Sequence, residues 1–99
     1  MTTREKAFPL TDKLQTRQAT VAIIGLGYVG LPLAVEVAKA GFAVVGLDLN
    51  AERVGQINRG ESYIEDVPGA LLAQTVDSGK LRASTDFSEL KHSEVIIIC

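Results

Sequence analysis

Three glycines and one carboxylate are the residues of this chain whose types and spacing suggest chemistry. Gly25, Gly27 and Gly30 form a Gly-x-Gly-x-x-Gly turn directly after an apolar run, Val21 to Ile24, and Asp48 follows the last glycine by eighteen positions, at the end of a second apolar run. Gly25 lets the chain turn sharply, Gly27, lacking a Cβ, lets the backbone approach a pyrophosphate, and Gly30 lets the next helix lie against the sheet. The first turn of that helix offers unpaired N–H groups and the positive end of the helix dipole, so a diphosphate can sit there without a lysine. Asp48 can accept hydrogen bonds from both hydroxyls of an adenosine ribose. Its charge opposes a 2′-phosphate and Leu49-Asn50 supplies no adjacent arginine, so the pattern favours NAD over NADP. The alternative is a flavodoxin-like or nucleotide-free α/β turn in which Asp48 is only a helix cap.

These residues need a β-α-β frame to bring them together, and the flanking sequence reads as one. Val21 to Ile24 is a short continuous apolar run, as expected of a parallel strand covered on both faces. A helix is expected from about Tyr28 to Ala40, with Val29, Leu33, Val37 and Ala40 on its apolar side. Pro32 falls in its opening turns, where a missing donor costs little, and Gly41 supplies the left-handed stop. Ala43 to Asp48 reads as a second strand. Asn50 is placed to cap a helix from Ala51 to Arg59, ended by Gly60, with Val54 and Ile57 facing inward. After a polar stretch from Glu61 to Val67, Pro68 fits the start of another helix that carries Leu71, Leu72 and Val76 and ends near Gly79. Lys80 to Ser84 then gives a third strand, Thr85 to Leu90 a turn or small helix, and Val95 to Cys99 an isoleucine-rich fourth strand. Right-handed crossovers order these strands 3-2-1-4 in a Rossmann-like, doubly wound α/β sheet, with a crevice between strands 1 and 4 at their carboxyl ends.

Ninety-nine residues make one small domain, and with 46% apolar and 22% charged residues it can bury a core. A formal charge of −2, five aromatic residues and no cluster of lysine or arginine argue against a nucleic-acid surface. No apolar run has the length of a membrane span, and the first twenty residues lack the hydrophobic core of a signal peptide. With a single cysteine, the chain reads as cytoplasmic. Residues 1–19 read as a polar leader in which Thr11-Asp12 caps a short helix through Leu14 to Arg17, or as a frayed tail, and residues 20–99 as the amino-terminal part of a dinucleotide-binding domain. Strand 4 ends at Cys99, where this fold completes its crevice with further chain. The adenosine half of the site is therefore expected here and the nicotinamide half beyond Cys99, making this the amino-terminal piece of a longer enzyme, inactive by itself.

The remaining ionisable residues divide between the site and the surface. Arg53, one turn into its helix, either swings toward the adenosine held by Asp48 or is an ordinary solvated charge; spacing alone leaves both open. Glu65 and Asp66 are adjacent, so their side chains diverge, and capping by Asp66 is expected over paired acid–base work. His92 stands among polar neighbours and reads as a surface residue, and Cys99 as a packed thiol closing a buried strand. No residue is assigned catalytic or metal-ligating work.

Val-Ala-Ile-Ile-Gly-Leu-Gly-Tyr-Val-Gly-Leu-Pro-Leu-Ala, residues 21 to 34, closely resembles the opening of the UDP-glucose/GDP-mannose dehydrogenases, the nucleotide-sugar 6-dehydrogenases. Gly-Leu-Asp at 46 to 48, Ile-Asn-Arg-Gly at 57 to 60, Ser-Tyr-Ile-Glu-Asp at 62 to 66 and Leu-Arg-Ala-Ser-Thr-Asp at 81 to 86 continue the likeness. Tyr28, Leu31 and Pro32 discriminate better than the glycines alone. The polar leader and Ser-Tyr-Ile-Glu-Asp look most like the branch that oxidises UDP-N-acetylhexosamines. The resemblance implies a parent that oxidises the C6 hydroxyl of a UDP-sugar to a carboxylate in two NAD-dependent steps, through a thiohemiacetal on a cysteine that lies beyond this chain and that Cys99 does not match. It also implies a homo-oligomer whose sugar site is built mainly by later residues. Residue by residue, Tyr28 and Val29 match the turn whose backbone meets the diphosphate, Asp48 the ribose acid, Arg53 the basic residue beside the adenosine, and Thr85 a threonine near the cofactor.

Two other readings share parts of this pattern. A regulatory nucleotide-sensing module of the potassium-uptake gating kind also begins with an isoleucine-rich strand, Gly-x-Gly and a ribose acid. The run Tyr28 to Pro32 and the long segment from Glu61 to Gly79 argue against it. A dehydrogenase of the 6-phosphogluconate or hydroxyacyl type has the same domain and differs in the catalytic half, so fold alone does not separate it.

Overall fold

The apolar runs pair in parallel. In the computed structural model, which describes residues 18–99, β1 (Thr20–Ile24) lies between β2 (Ala43–Leu47) and β4 (Val95–Ile98), and β3 (Leu81–Ser84) flanks β2. The order is 3-2-1-4, as the crossover argument requires. The register sets Ala22 beside Val45 on one neighbour and Ile96 on the other. The short helix expected near Leu14 to Arg17 lies outside the described residues.

Strand periodicity sends alternate residues to opposite faces, and the two faces are covered unequally. Val21, Ile23, Val44 and Leu81 pack beneath three helices, α1 (Gly30–Lys39), α2 (Ala51–Asn58) and α3 (Gly69–Asp77), in one core with Leu31, Val35, Ile57 and Leu72. Each such fully buried side chain contributes about 1.5–3 kcal/mol. Ala22, Val45 and Leu47 on the other face are met by Phe87 and Leu90 of a short 3-10 helix, Phe87–His92. Asp86 starts that helix by accepting the Ser88 N–H at 3.0 Å, and Arg82 of β3 grips Glu89 through two bonds of 2.7 and 2.9 Å. On this second face Ile96 and Ile98 of β4 stay exposed.

Helix ends follow local chemistry. Asn50 caps α2 by accepting the Arg53 N–H at 3.1 Å, as expected. Gly41 and Gly60, at φ of 103° and 74°, end α1 and α2 in the left-handed conformation. Each is followed by paired return bonds, Gly41 to Ala38 with Phe42 to Val37, and Gly60 to Ile57 with Glu61 to Gln56. At the free side of β3, the Asn58 amide donates to the Ala83 carbonyl at 3.0 Å and accepts the Ala83 N–H at 2.9 Å. An α2 side chain thus stands in for a fifth strand and blunts the edge.

Four expectations are corrected. The helix after the glycines starts at Gly30, because Tyr28 and Val29 still belong to the turn. Its buried face is Leu31, Ala34, Val35 and Ala38, whereas Val29 and Ala40 are exposed and Leu33 and Val37 only half-buried. The contact of Gly30 with the turn decides the rotation of the helix about its axis, and an apolar periodicity by itself does not. Asp66 does not cap α3: Pro68 occupies the cap position, with no side chain bonded to it. Cys99 is exposed at the rim of β4, and β4 itself is half-buried, because it borders the sheet.

Candidate functional site

β1 delivers the chain into the glycine turn, and the packing separates the three glycines by what each one permits. Gly25 has φ of 93° and donates its N–H to the Leu47 carbonyl at 2.8 Å. A Cβ there would lie 2.8 Å from the Cys99 carbonyl oxygen, and one on Gly30 would lie 1.6 Å from the Gly25 carbonyl oxygen. Such distances are inside van der Waals contact, so the start of α1 can rest on the turn only with glycine at 30, and the turn can pass the end of β4 only with glycine at 25. A Cβ on Gly27 would meet no protein atom within 4 Å. The chain's own packing asks for glycine at 25 and 30 and makes no such demand at 27.

The amides around this turn are partly committed. Leu31 donates to the Gly27 carbonyl at 3.1 Å, the first rung of the α1 ladder. The N–H groups of Tyr28, Val29 and Gly30 precede that rung, at the positive end of the helix dipole. Tyr28 and Val29 expose their side chains, 81% and 69%, leaving the backbone between them reachable. A cavity of about 250 Å³ is lined by Gly25 through Gly30 with Asp48, Arg53 and Cys99. The structure thus gathers seven sequence-predicted residues around one space: Gly25, Gly27, Tyr28, Val29, Gly30, Asp48 and Arg53.

Asp48, just past β2, faces the turn. Its Oδ2 accepts the Leu26 N–H at 2.9 Å and its Oδ1 the Asn50 N–H at 2.9 Å. Each carboxylate oxygen has two lone-pair sites, so one remains on each for a diol. Asp48 is therefore no helix cap; Asn50 has that role. Arg53 brings Nη1 to 3.9 Å from Asp48 Oδ2 and places its guanidinium 5.5 Å from the centre of the Tyr63 ring. With 43% of its side chain exposed, Arg53 gains little stability from the ion pair; what the contacts do is hold the guanidinium over the cavity rim.

Two residues of the site were not singled out by spacing. Leu26, the first x of the motif, is fully buried, donates to Asp48, and lays its side chain so close to Gly46 that a Cβ there would be 2.7 Å away. Tyr63 donates its hydroxyl to the Leu26 carbonyl at 2.5 Å. Burial pushes the Tyr63 phenol up to about 12, with Arg53 opposing and Asp48 adding to the rise, so it stays a protonated donor through the physiological range. The available signal was an aromatic residue in an otherwise polar stretch, and its partner is a main-chain atom that no motif records.

The other candidates stay apart. Thr85 is exposed past the end of β3, which β2 separates from β1, and does not line the cavity. Glu65 and Asp66 are exposed beside a second cavity of about 510 Å³ that also touches Tyr28 and Tyr63. His92 is exposed at the end of the 3-10 helix. Among the described residues no cluster of three or more histidine, cysteine or acidic side chains is placed to hold a metal ion, and no helix is long and apolar enough to cross a membrane.

With this geometry in view, the sequence profile of the UDP-glucose/GDP-mannose dehydrogenase family, NAD binding domain, matches residues 19–99. The chain belongs to this family. As a member it carries the NAD-binding domain of nucleotide-sugar dehydrogenases, and the gating-module reading falls away. It is similar to the UDP-N-acetyl-D-mannosamine dehydrogenase of Pyrococcus horikoshii, at 40% identity over 80% of this chain and 19% of that protein. It is similar also to the GDP-mannose 6-dehydrogenase of Pseudomonas putida, at 42% identity over 80% of this chain and 18% of that protein. The crystal structure of a ternary complex of GDP-mannose dehydrogenase from Pseudomonas aeruginosa superposes with a TM-score of 0.75 at 38% identity, covering 80% of this chain and 19% of that one. The chain thus spans less than a fifth of the length of these relatives.

Proposed function

We propose that this chain holds the adenosine diphosphate half of NAD within a nucleotide-sugar 6-dehydrogenase. One observation carries the reading: Gly27 is a glycine that no protein contact requires, and it sits beside a carboxylate with free lone pairs and amides outside the helix ladder. In this reading the diphosphate lies over Gly25, Gly27 and the N–H groups of Tyr28, Val29 and Gly30. Asp48 takes the ribose diol and Arg53 covers the adenine. Thr85 is not part of this constellation. When bound, NAD accepts hydride; the residues of this chain bind and orient it.

Family membership supports a parent enzyme that oxidises the C6 hydroxyl of a UDP-sugar to a carboxylate, with two NAD reduced and one water consumed per sugar. The two relatives named for UDP-N-acetyl-D-mannosamine and GDP-mannose mark the substrate class, and Ser62 to Asp66 support a UDP-N-acetylhexosamine within it. The reading includes a cytoplasmic homo-oligomer whose sugar site is built mainly by residues outside this chain.

The test is NADH release by the full-length enzyme carrying this domain, offered UDP-N-acetylhexosamines, UDP-glucose and GDP-mannose in turn. The expected result is two NADH per UDP-N-acetylhexosamine consumed. No NADH from any nucleotide sugar, or a single NADH per sugar, contradicts the reading.

A further inference from the structure

The geometry points to Tyr63 as a positioning residue that joins the diphosphate turn to the adenosine side of the site, a role that rests on the NAD-site reading above. Tyr63 lies on the segment between α2 and α3, thirty-seven positions from the atom it bonds, the carbonyl oxygen of Leu26. That oxygen belongs to the peptide linking Leu26 to Gly27, so the bond fixes the plane of the peptide whose other end carries the Gly27 N–H. The same Leu26 donates its own N–H to Asp48 Oδ2. Tyr63 and Asp48 therefore hold Leu26 from both sides, one at its acceptor and one at its donor.

The ring of Tyr63 has a second job. Its face lies 5.5 Å from the Arg53 guanidinium, whose ion-pair partner, Asp48 Oδ2, stands at 3.9 Å. A cation over an aromatic face keeps its five donors free at the edges while losing orientational freedom. A single side chain thus sets both the glycine turn and the guanidinium. The contacts of its hydroxyl and its ring are separable by substitution, which gives the two roles different signatures.

Tyr63→Phe removes the bond to Leu26 and keeps the ring under Arg53, whereas Tyr63→Leu removes both. The readout is amide chemical-shift titration of the chain with NAD, ADP and adenosine, alongside thermal melting. For Tyr63→Phe the expected result is about fivefold weaker NAD and ADP, adenosine affinity unchanged, and the melting temperature close to wild type. Tyr63→Leu is expected to weaken adenosine as well. Wild-type affinities for NAD and ADP in Tyr63→Phe overturn the proposal, as does an equal loss for all three ligands, which marks a general structural effect. Failure of the wild-type chain to bind NAD or ADP overturns the underlying site reading instead.

Discussion

At the scale of single residues, the glycines separate packing from binding. A Cβ on Gly30 collides with the Gly25 carbonyl, backbone against backbone, whereas a Cβ on Gly27 enters open space. Gly30→Ala should therefore cost about 3 kcal/mol or more of stability, at the top of the overpacking range. Gly27→Ala should leave stability unchanged or raise it by about 0.5 kcal/mol through the unfolded chain, yet weaken NAD roughly tenfold by blocking close approach. Chemical denaturation with NAD titration on both variants checks this; equal destabilisation of the two would remove the distinction. Much of the candidate site is legible because it is local: Gly25, Gly27, Gly30 and Asp48 line one cavity as a turn, a helix start and a strand end dictate. Spacing alone leaves Arg53 open, and only the family resemblance sets it beside the adenosine, because its neighbour Tyr63 comes from a different segment. Leu26 and Tyr63 escaped notice for a related reason, since main-chain acceptors are invisible in residue types.

At the scale of elements, the sequence is clear about existence and weaker about orientation. All four strands and three helices were readable from apolar runs bounded by glycine, proline and asparagine, and their ends moved by only a few residues. What failed was the face of α1. Val29, Leu33, Val37 and Ala40 make a valid helical stripe, and so do Leu31, Ala34, Val35 and Ala38; only the approach of Gly30 to the turn selects the second. The edge of β3 was equally unreadable, because its cover is a side chain from α2. Asn58→Ala strips partners from the outward N–H and carbonyl of Ala83, so a loss of about 1–3 kcal/mol is expected, with increased self-association through the bare edge. Thermal melting with light scattering reads both. An unchanged melting temperature and a monomeric profile would show the clamp to be incidental.

At the scale of the whole molecule, sheet order gathers the candidate site at one end. The 3-2-1-4 order brings the carboxyl ends of β1, β2 and β4 together, so the glycine turn, Asp48 and Cys99 surround one cavity. Three helices cover one face of the sheet, whereas the other leaves Ile96 and Ile98 exposed. Family membership gives NAD as the ligand, and the proposed site assigns its selectivity to Asp48, whose spare lone pairs suit a ribose diol and whose charge opposes a 2′-phosphate. The most direct test is a calorimetric titration of NAD and, in parallel, NADP into the chain after circular dichroism has established its fold. Saturable NAD binding with NADP at least about tenfold weaker is the predicted result. A folded chain that binds neither, or binds NADP as tightly as NAD, would contradict the site described.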